Sequence, residues 1–213
     1  MFGPRCLSPL LDLRADQTVL FLEHESSLVQ SVERRGALPL SVLFGAPEHG
    51  GQAPAGRVHL ATPMDSLPLD DASVHHVVAP AVNADGWTRD RLAELARVMT
   101  PGATLLYGAS ARLRFPMRRA AQTPRSGRRL LAVAGFTETR VYGVRHGFHD
   151  PRFLVPMDHT GARTWFLASA YPPQKTHHVR LASFLARLRY TGLDRVYFPQ
   201  LLFSATRDRG SKC

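Results

Sequence analysis

Glu23-His24-Glu25 sets one imidazole between two carboxylates. Neighbouring negative charge favours the imidazolium, so His24 can give a proton or take one up as a general acid or base. The same trio also reads as a charged surface turn with no chemistry. What separates the two readings is where the turn sits in the fold.

Other side chains could also do chemistry. His75 and His76 are adjacent within Val74-His75-His76-Val77-Val78-Ala79. On a strand they face opposite sides and cannot easily share one metal. His146, His149 and His159 gather with Asp150 and Asp158, and an H-x-x-H spacing can seat a metal. No cysteine and no H-E-x-x-H pattern accompanies them, so no metal is expected. Seven arginines lie between Arg112 and Arg129, a stretch able to hold phosphate but with only Phe115 for stacking. It reads better as a solvated connection. Phe148, Phe153, Trp165, Phe166 and Tyr171 form an aromatic group that either lines an apolar pocket or anchors its own elements.

Alternating elements must position these groups. Thr18 to Leu22 is a short apolar run and reads as a buried strand. Ser26 to Arg35 has Leu28, Val29 and Val32 at helical spacing, ended by Gly36. Further strands are expected at Pro39–Phe44, Arg57–Ala61, Val74–Ala79, Ala103–Tyr107, Thr137–Val144 and Leu201–Thr206. Helices are expected at Thr88–Met99, stopped by Pro101-Gly102, and around Gly127–Ala134, capped by Gly135. Beyond Gly147 the alternation breaks. A short helix through Arg163-Thr164-Trp165-Phe166 and a second over His177–Tyr190 are expected there. Strand–helix alternation from 18 to 144 predicts an open parallel sheet covered on both faces. Glu23-His24-Glu25 then falls at the carboxyl end of the first strand, where such sheets bind ligands.

Composition bounds the partners. The chain has 213 residues and a net charge of +10. Lys175 and Lys212 are its lysines, so the basic excess is almost entirely arginine. Arginine skew alongside abundant Ala, Gly and Pro points to biased composition more than to selection for polyanions, and nucleic acid is not the expected partner. Cys6 and Cys213 build no disulfide framework. No apolar run is long enough to cross a membrane, and the N-terminus does not read as a signal peptide. A cytoplasmic setting is expected.

Three segments resemble class I S-adenosylmethionine-dependent methyltransferases with a type 11-like domain. Leu67-Pro68-Leu69-Asp70-Asp71-Ala72-Ser73-Val74-His75-His76-Val77-Val78 is similar to the stretch that enters the family's fourth strand. Leu92 to Tyr107 is similar to its helix, Pro-Gly turn and fifth strand, and Leu130 to Val141 to the run into its sixth. The resemblance implies a Rossmann-like, mostly parallel seven-stranded sheet with helices on both faces. It implies one methyltransferase-like domain over 1–213, with an insertion or cap at about 147–199. It places S-adenosylmethionine against Glu23, His24, Ser26, Asp65 and Ser66, near the strand end at Ala79-Pro80. His24 or His75 would serve as base where the acceptor must lose a proton.

The cofactor positions depart from the family's pattern. Its Gly-x-Gly-x-Gly turn aligns with Glu23, Glu25 and Ser27, its adenine-reading Asp with Pro63, and its Asp in the fourth strand with His75. Two readings follow. One is a methyltransferase-like protein acting on a small organic molecule. The other is a non-catalytic relative that binds a protein partner or uses the cleft for another ligand.

Overall fold

The computed structural model describes residues 10–22, 26–44, 57–60, 66–79, 87–110, 122–145, 153–169, 198 and 200–209. Its elements are β1 (Thr18–Phe21), α1 (Ser26–Glu33), β2 (Leu38–Phe44), β3 (Arg57–Leu60), β4 (Val74–Ala79) and α2 (Arg89–Val98). They continue with β5 (Met99–Ser110), α3 (Pro124–Val133), β6 (Phe136–Arg145), β7 (Phe153–Pro156), α4 (Thr160–Ser169) and β8 (Gln200–Arg207). The helix expected over His177–Tyr190 lies outside the described residues.

One sheet joins the strands in the order β3-β2-β1-β4-β5-β8-β6-β7. From β3 to β5 every pairing is parallel. The other half is antiparallel: β8 runs against both β5 and β6, and β7 runs against β6. The seven expected strands are all present, but the expectation of a mostly parallel sheet is corrected to a mixed one. An eighth strand, β7, pairs Arg145 with Phe153 and Tyr142 with Pro156 along an outer edge. Proline has no N–H for a second neighbour, so an edge is where such a strand fits.

Alternation sorts each central strand between two cores. Leu20, Val77, Leu105, Tyr107 and Phe203 share one face with Leu92 and Leu95 of α2 and Leu131 of α3. Val19, Phe21, Val78, Leu106 and Leu202 share the other with Leu28 and Val32 of α1. Helices thus cover both faces, and the apolar inner stretches Val19–Phe21 and Val77–Ala79 follow from burial on both sides.

α2 starts with Thr88, whose side chain accepts the Arg91 N–H, and it carries Leu92, Leu95 and Val98 into the core. It ends at Val98, before Pro101-Gly102, because the chain turns directly into β5 at Met99. Pro101 and Gly102 are part of that strand. Gly102 takes φ of 81°, and the β4–β5 register shifts between Val74 and His76.

Candidate functional site

β1, β4 and β5 end side by side. Phe21 pairs with Val78, Ala79 pairs with Tyr107, and the Leu22 N–H extends the ladder to the Val78 carbonyl at 3.0 Å. α1 begins at Ser26, four residues after Leu22. The first turn of α1 contains no acidic residue, so none of its own side chains opposes the positive end of the helix dipole. Glu23, His24, Asp65 and Pro80 lie outside the described residues. Ser26 is the first residue of α1, and Ser66 is exposed immediately before Leu67.

The segment after Ser66 is fastened to α2. The Leu67 N–H donates to Glu94 Oε1 at 2.7 Å. Arg97 donates to the Leu67 and Leu69 carbonyls at 3.0 Å each, to both Glu94 oxygens at 2.8 and 2.9 Å, and to Asp71. The Arg97 guanidinium, hydrogen-bonded to Glu94, holds that carboxyl below its usual range despite some burial. The fork of Arg97 thus fastens the polypeptide between Ser66 and β4 to α2.

His75 stands at the opposite end. Its Nδ1 accepts the Thr18 N–H at 3.1 Å, at the first residue of β1. Four residues of strand separate it from Ala79, about 13 Å at an ordinary rise. The structure therefore does not bring His75 to the strand ends; it places it as a holder of backbone at their start. His76 is buried beside it, with Nε2 3.1 Å from Gln17 Oε1. Burial lowers the His76 pKa, reinforced by His75 and opposed by Asp12.

An aromatic cluster beside the ends of β4 and β5 was not among the residues singled out by type and spacing. Trp87 lies between β4 and α2, and its indole N–H donates to the Gly108 carbonyl at 3.0 Å. Gly108 is one residue past Tyr107, the last β5 partner of β4. Trp87 meets Tyr107 edge to face at 4.9 Å and 62°. Tyr107 in turn stacks on Phe203 at 4.7 Å and 7°. Burial pushes the Tyr107 hydroxyl pKa up, with Gln122 opposing only in part. Gly127 of α3 lies against this stack, where an added Cβ would come within 2.3 Å of the Phe203 ring. A lone tryptophan directly before a helix N-cap was the signal available in the sequence.

Of the expected histidine cluster, His146, His149 and Asp150 lie outside the described residues. His159 Nδ1 accepts the Ala162 N–H at 3.0 Å at the start of α4, and Asp158 pairs with Arg128 of α3. Among the described residues no group of three or more His, Cys, Asp and Glu could hold a metal, and no helix is long and apolar enough to cross a membrane.

No family model matches the chain, and no curated protein matches it. Solved structures do. A phosphoethanolamine N-methyltransferase 2 from Haemonchus contortus, in complex with phosphomonomethylethanolamine and S-adenosylhomocysteine, superposes with a TM-score of 0.57 at 9% identity over 95% of this chain. The chain spans about half that enzyme's length, 51%. A putative methyltransferase from Haloferax volcanii, in complex with the Trm112 methyltransferase activator, gives 0.55 at 19% identity, covering 96% of this chain and 89% of its own. An S-adenosylmethionine-dependent methyltransferase from Archaeoglobus fulgidus gives 0.57 at 10% identity, covering 95% and 90%. At such identities the likeness is one of fold, and the fold is that of the class I methyltransferases.

Proposed function

We propose that this protein is an S-adenosylmethionine-dependent methyltransferase acting on a small organic molecule, in a cytoplasmic setting. The observation that carries this is the joint ending of β1, β4 and β5 beside the N-terminus of α1, in a fold that its structural neighbours use with that cofactor. The described residues fit the group. The first turn of α1 offers N–H donors and no acidic side chain of its own to a carboxylate, beside the ends of β1 and β4.

When bound, the cofactor supplies a methyl group made electrophilic by a sulfonium sulfur. The chain's own task is to orient donor and acceptor in line and to keep water out. The N–H groups of the first turn of α1, from Ser26 on, would hold the carboxylate end. Asp65 and Ser66 would receive the adenosine, next to the Leu67–Leu69 stretch that Arg97 holds. His24 takes the proton that an acceptor N–H or O–H sheds on methylation. His75 has no part in this reading, because it holds Thr18 at the far end of the sheet.

Calorimetric titration with S-adenosylmethionine tests the reading. Saturable heat at micromolar to sub-millimolar cofactor is expected. Absence of heat and of any thermal shift at millimolar cofactor would sink it. The second reading, a non-catalytic relative that binds a protein partner, is favoured by one observation: Glu23, Glu25 and Ser27 stand where the resemblance aligns glycines.

A further inference from the structure

The start of β1 is held by its two neighbours in different ways. On the β2 side the bonds run backbone to backbone: the Asp16 N–H to the Gly36 carbonyl at 2.9 Å, and the Leu38 N–H to the Gln17 carbonyl at 2.8 Å. On the β4 side, backbone pairing begins only at Val19–His76. One residue earlier the Thr18 N–H is met by a side chain, His75 Nδ1, at 3.1 Å. The imidazole stands where a regular parallel ladder would supply a carbonyl.

An N–H is satisfied by a lone pair, so Nδ1 is bare and the proton of the neutral His75 ring is on Nε2. His76, on the other face of β4, takes the complementary role. Gln17 Oε1 accepts the Arg14 N–H at 2.8 Å, which fixes the oxygen there, so His76 Nε2 donates to it at 3.1 Å. Two adjacent imidazoles thus tie one segment to β4, one as acceptor and one as donor. Leu11 of that segment is buried with Val19, Phe21 and Leu28, so the tie bears on a core as well.

The two rings respond differently to a second proton. On His76 it leaves the bond to Gln17 in place. On His75 it turns Nδ1 into a donor aimed at another donor, and the Thr18 bond is lost. Among the described residues, the charged groups on the elements that meet here are Asp12, Arg14 and Asp16 on the segment, and Glu33, Arg34 and Arg35 before β2. On the turn before β4 they are Asp70 and Asp71, the latter bonded to Arg97 of α2. β5 meets His76 with Thr104, which carries no charge. Asp12 lies 3.6 Å from Arg14 and favours an imidazolium at His76, while the two rings oppose each other's charge.

We propose that His75 is a proton-operated latch in the hold of Asp12–Thr18 on β4, closed while its ring is neutral and open once it is charged. Imidazole is the side chain that changes charge between about pH 5 and 8, so the latch works near neutrality. Opening frees the β4 side of the segment and leaves its β2 side bonded through Gly36 and Leu38. The latch sits at the opposite end of the sheet from the joint ending of β1, β4 and β5, and it is independent of the methyltransferase reading.

Amide hydrogen exchange followed by NMR tests it. Corrected for the intrinsic pH dependence of exchange, the protection of the Thr18 amide should fall about tenfold between about pH 7.5 and about pH 5.5, the loss of one ordinary hydrogen bond. The amides of Leu38 and Leu22, bonded to the carbonyls of Gln17 and Val78, should keep theirs. His75→Asn offers Oδ1 in place of Nδ1, an acceptor that does not titrate, and should make Thr18 protection the same at both pH values. His76→Gln should leave the wild-type fall in place. In the wild type alone, the Thr18 amide shift and the His75 ring nitrogen shifts should titrate with one midpoint, a measurement that stands if His75→Asn does not fold. Thr18 protection that is equal at both pH values in the wild type, a fall that survives in His75→Asn, or separate midpoints for Thr18 and His75 would each overturn the latch.

Discussion

Gly127→Ala is expected to destabilise the protein even though alanine is the better helix former. In the interior of α3, replacing glycine by alanine should by itself add about 1 kcal/mol of stability. The new Cβ, however, would sit 2.3 Å from Cε1 and Cζ of Phe203 and 3.1 Å from the Tyr107 hydroxyl. Phe203 has 0% exposure and stacks on Tyr107 at 4.7 Å, so its ring has nowhere to turn. Helix α3 must back away from β8 or the stack must part. Overpacking of this kind costs about 1–3 kcal/mol, and the rigid aromatic stack puts this case at the upper end. The net loss is then about 2 kcal/mol, or roughly 4–8 °C in Tm for a chain of this size. Ala132→Gly, at an exposed position of the same helix, supplies the propensity effect alone. Urea unfolding of Gly127→Ala, Phe203→Leu and the double variant completes a cycle, in which the double variant should lose less than the two singles added. A Gly127→Ala protein that is more stable than wild type, or a cycle additive within about 0.5 kcal/mol, would refute the close-approach argument.

Three further outcomes follow from the same geometry. His76 is held below its free value of 6.5 by burial, so the unfolded chain binds the proton more readily; stability should be complete above about pH 6.5 and decline as pH falls below it, and His76→Gln should flatten that decline in urea titrations. Arg97→Lys should lower Tm at neutral pH, because an ammonium cannot serve Glu94, Leu67 and Leu69 together; Glu94 has a depressed pKa, so this difference should shrink as acid protonates it below its free value of 4.5, and a difference independent of pH would count against the clamp. The Glu23→Gln/Glu25→Gln double variant should bind S-adenosylhomocysteine up to about thirtyfold more tightly at low salt, a gain that salt erodes, since each exposed carboxylate near the ligand's carboxylate costs about 1 kcal/mol; weaker binding would show that these acids assist the ligand instead.

Much of the scaffold was legible because inner parallel strands are apolar on both faces. Val19-Leu20-Phe21 and Val77-Val78-Ala79 announce themselves without alternation. α2 was legible from Leu92, Leu95 and its Thr88 cap. The start of β5 was not, since Pro101-Gly102 reads as a break whereas the strand absorbs both residues with a left-handed glycine and a shifted register. β7 was missed because four residues ending in Pro156 carry too little pattern to tell an edge strand from a loop. The site was harder still. Nothing in a residue's type tells the beginning of a strand from its end, so His75 looked as available for chemistry as a residue at Ala79 would, until pairing with Thr18 placed it. Trp87 has no periodic neighbours, and its placement comes from Gly108 and Tyr107, residues of β5 distant in sequence.

The place of β8 in the sheet bears on how the chain can assemble. β3, β2, β1, β4 and β5 form one ladder, β6 and β7 form another, and β8 alone joins them. Both ladders are complete in chain order by Pro156, yet the edges that they turn toward each other wait for Gln200–Arg207. Until then β5 and β6 each present open backbone, available to a wrong partner. Closing such a distant contact is slow relative to forming the local units. Gln200–Arg207, the last of the described strands in chain order, is thus the segment whose pairing makes the two ladders one sheet.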